Sequence, residues 1–200
     1  MKSQWWWGGG VVLLALVLMN QTGGPVHLPP GVMVPDEPFQ EEIASPVSFP
    51  FRGAQITPLA EFDLSAKVLS RRDYRFDHGA PLAPVDLALG WGLMSDQKVV
   101  DTLDISQDGR WFFWTGSAKS PPEEEVSRHS ANMHLIPANQ WVRSQLKKVR
   151  RGQVVHLTGK LVSVRGKDGM TWDSSLTRTD TGDGACEVIY VERFAITRSG

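Results

Sequence analysis

The chain predicts an α+β fold of mixed and antiparallel sheets, with a small OB-like or SH3-like barrel in its C-terminal part and two short helices. Two observations carry that expectation. From Gly152 to Ile196, β-branched period-two runs such as Val154–Val164 and Glu187–Ile196 flank an Asp168-Gly169 turn and a polar, glycine-bearing loop. Further upstream, Phe62, Leu64, Ala66 and Val68 alternate with Asp63, Ser65 and Lys67, the pattern of a half-buried strand. Gly159, inside the first barrel strand, marks a point where that strand bends sharply.

Taken in order, Met1-Lys-Ser-Gln precedes an uncharged run from Trp5 to Met19. Extended to Thr22, the run reaches about 30 Å as a helix, the thickness of a bilayer's hydrocarbon layer. Trp5, Trp6 and Trp7 suit the headgroup boundary. No small-residue cleavage site follows, so the expectation is an uncleaved transmembrane signal anchor over 5–22, in contact with inner-membrane lipid. Residues 1–4 are then cytoplasmic and the remainder is extracytoplasmic. Lys2 before the run and acids after it set that direction.

Eight of the thirteen prolines fall between Gly23 and Pro58. Proline excludes helix and central strand, so residues 23–58 read as an extended, solvated linker. The alternative is that Phe39, Phe49, Phe51 and Ile56 dock on the domain or on a partner. The globular domain is expected over 59–198. Within it, Leu87–Gly92 reads as a glycine-flanked turn displaying Trp91, and Ser95 as the cap of a short helix reaching Leu103. Asp108-Gly109 is the strongest hairpin signal. On the strand that follows, Trp111 and Phe113 face one way and Phe112 and Trp114 the other, and both pairs are expected to be covered, because large bare aromatic patches are unusual on monomers. Pro121-Pro122-Glu123 starts an acidic turn or helix, Ser130–Pro137 is a strand, and Asn139 caps a helix carrying Val142, Leu146 and Val149.

A formal charge of −1 over 200 residues gives no bulk argument for nucleic acid. The one cysteine excludes an intrachain disulfide framework. Lys and Arg do gather between Trp141 and Arg178, nine against two acids. Trp141, Lys147, Lys148, Arg150, Arg151 and Trp172 are therefore the binding candidates, for an anionic polymer met by stacking and charge. Complementarity to a helix dipole is the plainer account of Lys147–Arg151. Cys186, with His156 as base, is the catalytic candidate, suited to a cysteine hydrolase or transpeptidase acting on cell-wall peptides. A lone cysteine opening a strand is more often a small buried apolar residue. No metal site is expected, because His134 and His156 lie on different strands without a carboxylate at ligand spacing. The Asp180–Gly184 stretch reads as a connecting turn rather than a calcium loop, and no cofactor motif is present.

Four strings, Arg72–Asp77, Pro84–Gly92, Ser130–Pro137 and Ser174–Glu187, together resemble those of a family of bacterial proteins. Its members carry an amino-terminal hydrophobic segment, one carboxy-terminal domain and no assigned activity. The resemblance covers roughly Leu64 to Val191 and implies bacterial origin and a shared fold, with no functional residues to carry over. The leading expectation is a membrane-anchored, non-enzymatic interaction or scaffolding module of the bacterial cell envelope, with an envelope protein as partner.

Overall fold

The computed structural model describes residues 23–177 and 185–198. Strands dominate, with three short helices, and an α+β-like class fits. The element around which the sheet is built is β3 (Ala54–Asp73), because its 20 residues let it pair with four other strands. Strand β1 (Phe39–Glu42) and β2 (Phe49–Phe51) precede it. Then come β4 (Val85–Gly90), a 3₁₀ turn at Gly92–Ser95 and α1 (Gln97–Val100). A hairpin of β5 (Leu103–Asp108) and β6 (Trp111–Gly116) follows, then α2 (Glu123–Arg128) and β7 (Ser130–Pro137). The chain ends with α3 (Gln140–Leu146), β8 (Val154–Gly166), β9 (Thr171–Asp173) and β10 (Glu187–Arg198).

Strand β3 pairs antiparallel with β4, β4 with β7, and β8 with β10, while β7 and β10 run parallel. Pairing of β8 back onto β3 turns the mixed sheet into a partly closed ring of five strands. Phe62, Leu64, Leu87, Leu135, Leu157 and Ile189 fill its interior. The ring takes strands from both halves of the chain, so curvature is not confined to the C-terminal part. Gly159 serves close approach as much as bending: a methyl group there would collide with the carbonyl oxygen of Tyr190 on β10, beside an irregularity in the β8–β10 register.

The proline-rich segment departs from a solvated spacer. Strands β1 and β2 both pair with β3. Pro58 sits at a register shift in β3, where a missing N–H does least harm. Leu28 and Val34 are buried in the ring core. The backbone N–H of Val26 donates to Arg151 O at 2.8 Å, and that of Gly31 to Asp96 Oδ1 at 2.8 Å. Residues 26–34 thus form a strap across one end of the ring. Phe49 and Phe51 meet the Tyr190 ring edge-on at 5.2 and 5.1 Å, and Ile56 is buried, whereas Phe39 stays exposed.

Two local expectations are corrected. Val85–Gly90 is a fully buried strand and Trp91 is buried, because β4 lies between β3 and β7 and is covered on both faces. The cap of α1 is Asp96, which accepts from the Lys98 N–H at 2.9 Å. Ser95 Oγ instead accepts the strap N–H groups of Met33 and Val34, each at 3.0 Å. A third correction concerns the membrane. No helix among the described residues is long and apolar enough to cross one, so the described fold contains no transmembrane helix. Residues 5–22, on which the anchor was placed, and the Asp180–Gly184 turn lie outside the described residues.

Candidate functional site

Alternation along β4 and β7 sends Leu87, Leu89, Met133 and Leu135 into the ring and leaves Asp86, Ala88, Asn132 and His134 on its outer face. The β5–β6 hairpin closes over that face. Its two-residue turn is Gly109-Arg110, with φ of 55° and 73°, the positive pair a type I′ turn requires. Glycine adopts that conformation freely, while for arginine it costs on the order of 1 kcal/mol.

What holds Arg110 there is its guanidinium. It donates to Asp86 Oδ1 at 2.7 Å, to both oxygens of Asp77 at 2.8 and 3.1 Å, and to Ala83 O at 2.9 Å. Its carbon lies 3.8 Å from the centre of the Tyr74 ring and 5.3 Å from that of Trp172, within cation–π range. The Arg110 backbone N–H donates to the Tyr74 hydroxyl at 2.9 Å. Burial pushes the Asp77 carboxyl up, but the hydrogen bonds and charge of Arg110, with the amides of Ala80 and Gly79, outweigh it and hold the group below its usual range. Burial raises the Tyr74 hydroxyl.

Beneath the turn, Asp86 and His134 are both buried. Their Oδ2 and Nδ1 lie 2.8 Å apart, yet they are not aligned for a hydrogen bond, and neither atom has one among the described residues. The His134 ring packs on Trp172 at 4.6 Å. Asn132 Oδ1 accepts from Gln107 Nε2 at 2.6 Å, and its Nδ2 donates to Arg110 O at 2.9 Å and approaches Cys186 Sγ at 3.7 Å. Asp86, His134, Asn132 and Gln107 thus form a buried polar layer beneath the hairpin.

The hairpin's other side differs. Phe112 and Trp114 pack inwards, but Trp111 is 39% and Phe113 51% exposed, against the expectation that both pairs are covered. Phe76, on the loop that Arg110 clamps through Asp77, is 98% exposed. Among the described residues β6 has only β5 as a ladder partner, so no strand pairs with its far edge.

The sequence candidates are scattered by comparison. His156 Nε2 donates to Asp63 Oδ1 at 2.9 Å, and the residue lies level with Ala195 on β10. That is nine positions from Cys186, roughly 30 Å at about 3.3 Å per residue, so the two do not meet. Trp141 is exposed on α3, with Lys147, Lys148 and Arg151 exposed beyond its end. Arg71 already donates to the terminal carbonyls of Lys147 and Val149, at 3.1 and 2.5 Å, and Arg150 Nη1 reaches Gly24 O at 3.4 Å. Trp172 belongs to the Arg110 and His134 cluster. On the basic strand, Lys160 pairs with Glu61 at 2.5 Å and Arg165 with Asp173 at 2.6 Å.

No protein-family model, curated protein or solved structure matches this chain. The geometry must therefore carry any functional reading by itself. Among the described residues no His, Cys, Asp and Glu group could hold a metal ion. Sequence reasoning passed over Arg110 and Asp86 and weighed His134 only as a metal ligand. One signal was available: Asp86 is a lone charge within an otherwise apolar strand, and a buried carboxylate demands a cation.

Proposed function

We propose that the protein is a non-enzymatic interaction module, an OB-like barrel whose customary ligand face is closed by its own hairpin. The barrel reading rests on wiring. The long β3 touches both β4 and β8, the one parallel pairing among the described residues joins β7 to β10, and α3 lies between β7 and β8 in sequence. In five-stranded Greek-key barrels of that kind, the face of the second and third strands takes the ligand. Here that face is β4 and β7, and Arg110 occupies it.

Recognition then passes to the outside of the hairpin. The observation that carries this is the exposure of Trp111 and Phe113 on an edge strand with an open ladder side. Exposed aromatics on an open edge favour an extended apolar segment of a partner protein, added as a further strand. The cysteine-enzyme alternative is disfavoured by the separation of Cys186 from His156, and the anionic-polymer alternative by the acids paired with Lys160 and Arg165.

The test is a photo-crosslinking residue placed at Phe113 or, as control, at the still more exposed Val47. The expected result is one discrete protein adduct from position 113 that serine at Trp111 abolishes. Equal adducts from both positions, or none at 113, would overturn the reading.

A further inference from the structure

A separate feature lies at the strap end of the ring. Lys67 stands on β3 between Ala66 and Val68, which face the ring core, so its own side chain points outwards. It is nevertheless only 1% exposed. The 3₁₀ turn, α1 and the start of the strap cover it. Its Nζ has one hydrogen bond, to Ser95 O at 3.4 Å, and no salt bridge among the described residues. A buried ammonium with so little compensation is costly, and such groups are normally paired. Burial lowers its pKa, with the charges of Asp101 and Asp96 opposing.

Lys67 borders a cavity of about 290 Å³ between the strap, α1 and the lead-in to β8, at the small end of ligand-site volumes. Arg151 lines the same space, and its guanidinium has no carboxylate partner among the described residues. The one acid in the wall is Asp101, whose Oδ1 already accepts from Gln97 Nε2 at 2.7 Å. Two cations against one engaged carboxylate suit a monoanion. The remaining wall is mixed: His27 and Gln97 are polar, while Val26, Val100 and Leu103 supply an apolar patch on which a short hydrocarbon tail can lie.

We propose that this cavity binds a short-chain organic carboxylate, its head between Lys67 and Arg151 and its tail on Val26, Val100 and Leu103. Such a ligand supplies the acceptor that the buried amine lacks. It is independent of the hairpin surface and of any protein partner.

The test is an NMR titration of the full chain with sodium butyrate, matched against sodium chloride and inorganic phosphate. The expected result is saturable shifts of the Lys67, Gln97, Asp101 and Arg151 amides with butyrate, weakened several-fold in Arg151→Gln and lost in Lys67→Met. Lys67→Met must keep the wild-type spectrum elsewhere. If its spectrum collapses, Lys67→Gln takes its place, with the same loss expected. Shifts that do not saturate, or that survive in the Lys67 variant, would overturn the site. Equal shifts with phosphate would overturn the carboxylate class.

Discussion

Arg110, partly buried, and Lys67, fully buried, are two cations with opposite accounts. Arg110 makes four hydrogen bonds through its side chain, two of them to Asp77, and sits against a fully buried carboxylate. Lysine cannot reproduce that fork. Arg110→Lys is expected to lower the unfolding free energy by about 2 kcal/mol, the cost of leaving buried acceptors short of donors, as read by urea denaturation. Lys67 has no such partners, so Lys67→Met is expected to hold or raise stability, since an apolar isostere of a poorly compensated buried charge removes its desolvation. The pH dependence carries the sign. A lysine whose folded pKa is depressed takes up its proton less readily than the unfolded chain, so stability rises with pH between its folded value and the ordinary 10.5. Urea titrations across that alkaline window should show the rise in wild type and lose that part of it in Lys67→Met. Neither role is legible from spacing. Lys67 occupies an outward position in a clean alternation and reads as solvent-facing, because the α1 segment and strap that cover it come from distant parts of the chain.

At the scale of elements, local signals were the legible ones. Asp108-Gly109 marked the hairpin, Asn139 caps α3 by accepting from the Val142 N–H at 3.0 Å, and Val142, Leu146 and Val149 are buried as their spacing requires. The strap was not legible. Its Gly31, Met33 and Val34 backbone donors are satisfied by side chains about sixty residues away, Asp96 and Ser95, and proline content says only that helix is excluded. Asp96 therefore joins the α1 cap to the strap. The amide of Gly31 holds its carboxyl below 3.8, burial opposing and the Lys98 amide helping. Such a group contributes stability that is fully present above the unfolded value and is lost as pH falls through the depressed folded one. Asp96→Asn keeps an acceptor oxygen but cannot titrate. Its unfolding free energy is expected to fall less than that of wild type between about pH 5 and pH 2.5. An unchanged acid limb would show that Asp96 carries no such coupling. Asp77, Asp168 and Asp173 are depressed as well, so the limb should shrink without vanishing.

For the whole molecule, the ring depends on pairings that no short pattern reveals. The β3–β8 ladder joins residues about a hundred positions apart, and the parallel β7–β10 contact closes the circle. The period-two runs identified the strands, but not that both halves of the chain contribute to one ring. The same distance hid the site: Asp77, Asp86, Arg110, His134 and Trp172 come from five separate places in the sequence, and only folding makes them one cluster. In the result, one hairpin has two duties. Its inner side seals the β4–β7 face, and its outer side is free for a partner. Urea unfolding of two variants tests that division most directly. Arg110→Ala strips a buried carboxylate of its cation and is expected to cost about 3–5 kcal/mol, while the double variant Trp111→Ser/Phe113→Ser is expected to stay within about 0.5 kcal/mol of wild type, as surface changes do. An aromatic variant as damaged as Arg110→Ala, or an Arg110→Ala protein as stable as wild type, would contradict it.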